Sequence, residues 1–159
     1  MTFDQAVQVI LKLEGGEVNN PDDPGGLTKW GISKKSYPNV DIKNLTQSTA
    51  MQIYKDDFWD KLHLDDMPEQ IRLIVFDCAV NQGLSRASKI LQRVLNVQED
   101  GVIGRDTIAA FQLHSIGGVF SQYATMRMNF YTEDYRWPSF GRGWARRLLN
   151  IILESTEMI

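Results

Sequence analysis

The chain has 159 residues, 43% apolar and 23% charged, which suits one domain with a core that needs no covalent staples. A formal net charge of −3 excludes general affinity for nucleic acid, which requires an excess of Lys and Arg. The single cysteine, Cys78, excludes an intramolecular disulfide and sits in an apolar run, where it fills core. The start, MTFDQAVQVILKLEGG, lacks the basic opening and long apolar run of a secretory signal, and no stretch approaches the ~20 apolar residues of a membrane span. Synthesis in the cytoplasm is therefore expected, with a separate delivery route if the target lies outside it.

Thr2 and Gln5 form a capping box, and Phe3, Ala6, Val7, Ile10 and Leu11 share one helical face. That helix stops near Glu14, because Gly15 and Gly16 supply a C-terminal cap. Residues 17 to 45 carry turn residues and no long period; they read as loop, with a short hairpin around Thr28 to Ile32. Leu45-Thr46 opens the next helix, with Ala50, Ile53, Tyr54 and Phe58 inward. A central helix follows over about Pro68 to Gln82, with Ile71, Ile74, Val75, Cys78 and Ala79 on its main buried face and Phe76 and Val80 on other sides. Ser85 can cap a fourth helix with Ile90, Leu91, Val94 and Leu95 inward. A tight loop at Asp100-Gly101 to Gly104 precedes a short helix through Thr107 to Leu113. Helices over about Val119 to Tyr131 and Gly143 to Glu154 complete a mainly α chain.

Chemistry concentrates in residues 14 to 33. Glycosidic cleavage usually needs one protonated carboxyl group to assist the leaving oxygen and an ionised partner. Glu14, followed by two glycines that leave room for a sugar ring, is the candidate acid. A helix C-terminus disfavours negative charge by only roughly 0.3–1 kcal/mol. That is too little for the pKa of about 6 such an acid needs. Burial must supply the rest, and Trp30 and Ile32 are the nearest apolar candidates in sequence. Asp23 stands on a Pro-Gly turn that can return it towards Glu14, and Thr28 offers a hydroxyl for a water. The plainer reading is a solvated helix end followed by an ordinary turn. A calcium loop at Asp22 and Asp23 lacks further oxygen ligands at regular spacing. His63 and His114 have no partners at metal spacing, and no cofactor is implied.

The stretch from Glu14 to Gly31, EGG-x-VN-x-P-x-DPGG-x-T-x-x-G, closely resembles glycoside hydrolase family 108, whose members are muramidase-type endolysins and secretion activator proteins. IYKDDFWD at 53 to 60, FDCAVNQG at 76 to 83, DGVIGRDT at 100 to 107 and WPSFGRGWARR at 137 to 147 extend the resemblance along nearly the whole chain. It implies a single lysozyme-like helical domain, with any hairpin near residues 17–33. It also implies a catalytic lobe over 1–84 and a C-terminal helical lobe over 85–159 that resembles a peptidoglycan-binding module. Glu14 would be the catalytic acid. The family resembles phage-type lysozymes, in which a Glu, an acid and a Thr follow in order, so Asp23 and Thr28 are the corresponding residues; Asp22 fits the spacing equally well. Glu17 stands where an aromatic residue is common and Asn20 where Asp is common, which adds a rival carboxylate and alters the turn.

In the second half, Arg136 to Leu153 holds four arginines, Trp137, Phe140 and Trp144, and no acid. Aromatic faces stack on sugars and Arg pairs with lactyl or stem-peptide carboxylates; the competing explanation is core packing with surface ion pairs. Asp100 to Gly104 resembles a peptidoglycan-binding signature, against a plainer role as loop-shaping residues. The expected substrate-binding residues are Asn19, Trp30, Asn81, Trp137 and Trp144. The expected partner is the peptidoglycan glycan strand, reached from the cytoplasm through a holin-type pore by a monomer. The competing functions are a lytic transglycosylase using the same Glu, a non-catalytic wall-binding protein, and an interaction protein of a secretion apparatus.

Overall fold

A computed structural model describes residues 1–15 and 27–156. Its organising element is α3, Glu69–Gln82, whose residues Leu73 to Ala79 are all buried. A helix apolar on every side must be surrounded, and α3 is packed by α1 (Phe3–Glu14), α4 (Leu84–Val94), α6 (Ile116–Glu133) and α7 (Trp137–Thr156). The remaining helices are α2 (Gln47–Tyr54) and the short α5 (Arg105–Ala110). With 69% of the chain helical, the class is mainly α as expected.

The predicted capping box is present on α1: Gln5 N–H donates to the Thr2 hydroxyl, and Thr2 N–H to the Gln5 side chain. The hairpin is also present, as β1 (Thr28–Lys29) antiparallel to β2 (Ile32–Ser33), with Thr28 opposite Ser33 and Lys29 opposite Ile32. One feature departs from any simple period. After α2 the chain makes a single π-helical turn, Lys55–Trp59, which drives Trp59 fully into the core. There its ring meets Phe76 edge-on at 5.3 Å and Phe3 at 5.4 Å.

Three helix starts differ from the sequence reading, each for a local reason. α4 begins at Leu84 and is not capped by Ser85, because Gly83 at φ 93° ends α3 and opens α4 in one step. α6 begins three residues earlier than expected, since the Ser115 hydroxyl accepts from Gly118 N–H. α7 begins at Trp137 rather than near Gly143. Pro138 falls in its first turn, where no N–H is needed. Gly141 carries the Trp137 ring against its bare backbone, since a β-carbon there would lie 2.5 Å from that ring.

The Asp100–Gly104 loop is tied down from within. Buried Gln92 donates to Asp100 Oδ1 at 2.6 Å and to the Val102 carbonyl at 2.9 Å, and accepts from Gly101 N–H at 2.8 Å. No helix among the described residues is long and apolar enough to cross a membrane.

Candidate active site

Glu14 is the last residue of α1, and Gly15 at φ 78° caps that helix, its N–H donating to the Leu11 carbonyl. The glutamate side chain is about one-fifth exposed (22%), enough to meet a ligand. The tip of the hairpin closes one side. Trp30 and Gly31 both take positive φ, 54° and 78°, as a two-residue type I′ turn requires. Gly31 is required twice over. Beyond its φ, a β-carbon there would lie 2.9 Å from Glu14 Cβ and Cγ and would collide with the Tyr54 hydroxyl. Tyr54 donates from that hydroxyl to the Trp30 carbonyl at 3.1 Å, locking hairpin to α2. Burial, and then the Glu14 charge, push the Tyr54 phenol well above its ordinary range, so it remains a donor.

From α7, Arg147 reaches the opposite side. Its Nη2 lies 2.7 Å from Glu14 Oε1 and 2.7 Å from Asp77 Oδ1. Its N–H bonds aim along neither line, so both are ion pairs rather than directed hydrogen bonds. The directed bond runs from Arg147 Nε to Asp77 Oδ1 at 2.8 Å. Burial disfavours the Arg147 cation, but Asp77 and then Glu14 outweigh it and hold the guanidinium charged.

Asp77 has no exposed surface, and its second oxygen accepts from Arg127 Nη2 at 2.8 Å. Arg127 is itself fully buried and also donates to the Ile74 carbonyl, to Gln82 Oε1 and to Tyr131 Oη. Two carboxylates and two guanidiniums thus form one file of alternating charge, Glu14–Arg147–Asp77–Arg127, assembled from α1, α7, α3 and α6. The file compensates its own burial, as buried charges must.

Beyond it the aromatics begin. Tyr131 Oη donates to Asn81 Oδ1 at 2.8 Å, and its ring stacks on Trp144 at 5.4 Å. Trp144 stacks in turn on half-exposed Phe140 at 6.0 Å and lies 6.4 Å from Trp137. Arg136 sits over Trp144 at 5.5 Å. Asn81, Trp137 and Trp144 therefore belong to one cluster at one end of the charge file. Trp30 lies at the other end, on the hairpin tip, and Thr28 on β1 of the same hairpin. Asp22, Asp23 and Asn19 lie outside the described residues.

Sequence reasoning missed the middle of this site. Asp77 lay inside a motif read mainly for its apolar residues, although a lone acid in a helix buried on every side is itself a signal. Arg147 was expected to meet substrate or surface acids, and Arg127 was not singled out. The surroundings expected for Glu14 were apolar. Gly31, between Trp30 and buried Ile32, does pack on its stem, but its carboxylate meets a guanidinium.

Comparison with known proteins follows this geometry. A family model described as glycosyl hydrolase 108 matches residues 7–83, the segment that carries Glu14, Thr28, Trp30, Asp77 and Asn81. The solved structure of SagA from Brucella abortus is 30% identical, covers 98% of this chain and 94% of that chain, and superposes with a TM-score of 0.87. The chain belongs to the glycosyl hydrolase 108 family. No curated protein matches it. As a glycosyl hydrolase 108 protein with a lysozyme-like helical fold, it presents its half-buried glutamate between a hairpin tip and an arginine. The family match ends at Gly83, so Arg127, Trp137, Trp144 and Arg147 lie beyond it.

Proposed function

We propose that this protein hydrolyses peptidoglycan as an N-acetylmuramidase, cutting the β-1,4 bond between N-acetylmuramic acid and N-acetylglucosamine. The observation that carries the reading is the setting of Glu14. It is a partly open carboxyl group, fixed on one side by Gly31 and on the other by Arg147, within the segment shared with a glycosyl hydrolase family. Glu14 protonates the leaving oxygen. Arg147 lies at the same carboxyl group. Held through Asp77, it is in place to pair with the Glu14 carboxylate that remains once the proton has passed to the leaving oxygen. Asp23 and Thr28 position the incoming water or stabilise the oxocarbenium-like state, and Asp22 is the alternative second carboxylate. Trp30 on one side, and Asn81, Trp137 and Trp144 on the other, bind the sugars, as does Asn19. In this reading residues 1–84 carry the acid and residues 85–159 supply wall affinity. Delivery is through a holin-type pore, and the protein works as a monomer.

The decisive measurement is release of reducing ends from purified peptidoglycan by Glu14→Gln, with circular dichroism to establish folding. Activity should fall by at least about 100-fold, the scale of a lost general acid. A folded variant with wild-type activity sinks the mechanism. Product analysis separates the rivals: a 1,6-anhydromuramic product identifies a lytic transglycosylase. Wall binding without cleavage identifies a binding protein, and the absence of both identifies a partner of a secretion apparatus.

A further inference from the structure

We propose that a basic groove along α4 binds the carboxylates of the peptide stems carried by the glycan strands. This rests on the hydrolase reading above and extends it from sugar to peptide. In a chain of net charge −3, α4 carries Arg86, Lys89 and Arg93 and no acid. Spaced at i, i+3 and i+7, they occupy one helical face. They line a groove of about 380 Å³ that also takes in Gln82, Ile90 and Phe130.

The two nearby acids are each held by an arginine, and Glu99, held by Arg93 of the groove itself, also acts on Lys89 at longer range. Arg93 holds Glu99 through two hydrogen bonds of 2.8 and 2.6 Å. Arg136 holds Asp134 at 2.9 and 2.8 Å, lowering that carboxyl group to about 2, so Asp134 acts on Arg86 only at longer range. Neither Arg86 nor Lys89 forms an ion pair among the described residues. Arg86 instead lies over the Phe130 ring at 5.1 Å.

Location connects the groove to the chemistry. Gln82 lines it and also accepts from Arg127 in the charge file. Gln82 is five residues beyond Asp77 on α3, which at 1.5 Å per residue is about 7.5 Å along the helix. In this proposal the stem of a sugar bound beyond the Arg127 end of the charge file lies in this groove. Its half-buried Phe130 ring, beside a planar guanidinium, suits a carboxylate on an aliphatic peptide, which presents both an apolar stem and a bidentate acceptor. A phosphate polymer presents no such apolar part.

The test compares wild type with Arg86→Glu/Lys89→Glu on intact peptidoglycan and on the same strands stripped of their stems by an amidase. Reversing two exposed contacts should raise KM roughly tenfold on stem-bearing strands, with kcat retained and no change on stripped strands. Equal losses on both substrates, or no change on either, overturn the proposal. A difference that disappears when phosphate polymers are removed from the wall overturns it as well. If the double Glu variant fails to fold, Arg86→Gln/Lys89→Gln replaces it under the same criteria. A wild type that cleaves neither substrate refutes the hydrolase reading instead. Co-sedimentation with stem-bearing and stripped walls then decides the groove: retention that depends on stems and is lost in the variant supports it, and equal retention overturns it.

Discussion

At the scale of the residue, Asp77 is the joint of the charge file. It is buried, it holds two guanidiniums, and one of them is the cation at Glu14. Asp77→Asn leaves Arg127 buried without its counter-charge. The expected loss of stability is about 3–5 kcal/mol, the range for one-sided removal of a buried pair. Exposed pairs such as Lys61–Asp57 are worth only about 0.2–1 kcal/mol. Urea unfolding of the variant checks this, and a loss below about 1 kcal/mol would show that the file is not needed for stability. The place of Glu14 at a helix end was legible in the sequence, from the two glycines that follow it. Its partners were not, because Arg127 and Arg147 lie 50 and 70 residues from Asp77, and only the packing of α3, α6 and α7 pairs them.

At the scale of the element, the hairpin tip does most to shape the site. Its existence was readable from the turn-rich run, but the fit of Gly31 against Glu14 and Tyr54 depends on where α1 and α2 pass. A Trp at positive φ is uncommon, and here it buys the approach that Gly31 makes to the acid. Gly31→Ala should cost about 1–3 kcal/mol, from its φ and from contact with Glu14 and Tyr54. It should also depress kcat, because Glu14 must shift to make room. Thermal melting and peptidoglycan turnover read the two effects; an alanine variant equal to wild type in both would contradict the close fit. The start of α7 was illegible for the opposite reason. WPSFGRG reads as loop by its Pro and Gly, yet Pro costs nothing in a first turn and Gly141 is covered by Trp137.

At the scale of the molecule, buried tyrosines couple the fold to alkaline pH. Burial is the first cause raising Tyr37, to about 12, and it also raises Tyr54, Tyr123 and Tyr131. Unfolded tyrosines titrate near about pH 10. Between those values the folded protein binds more protons than the unfolded chain, so stability is complete below about pH 10 and declines as pH rises towards about 12. Phenolate absorbance and helical circular dichroism should therefore change together in an alkaline titration. Phenolates appearing for these four tyrosines while the helices persist would contradict it. The helical class and the order of elements followed from apolar periodicity and turn residues. The π-helical turn that seats Trp59 did not, because a local widening of the helix leaves no period to detect.

The charge file also has a temporal reading. Glu14 is translated well before its guanidinium partner, which sits on α7, more than 130 residues later. A ribosome releasing this chain exposes the acid long before the cation that holds it. The segment matched to the family contains the first and omits the second. A fragment that carries the recognisable motif is therefore a different object from the assembled site.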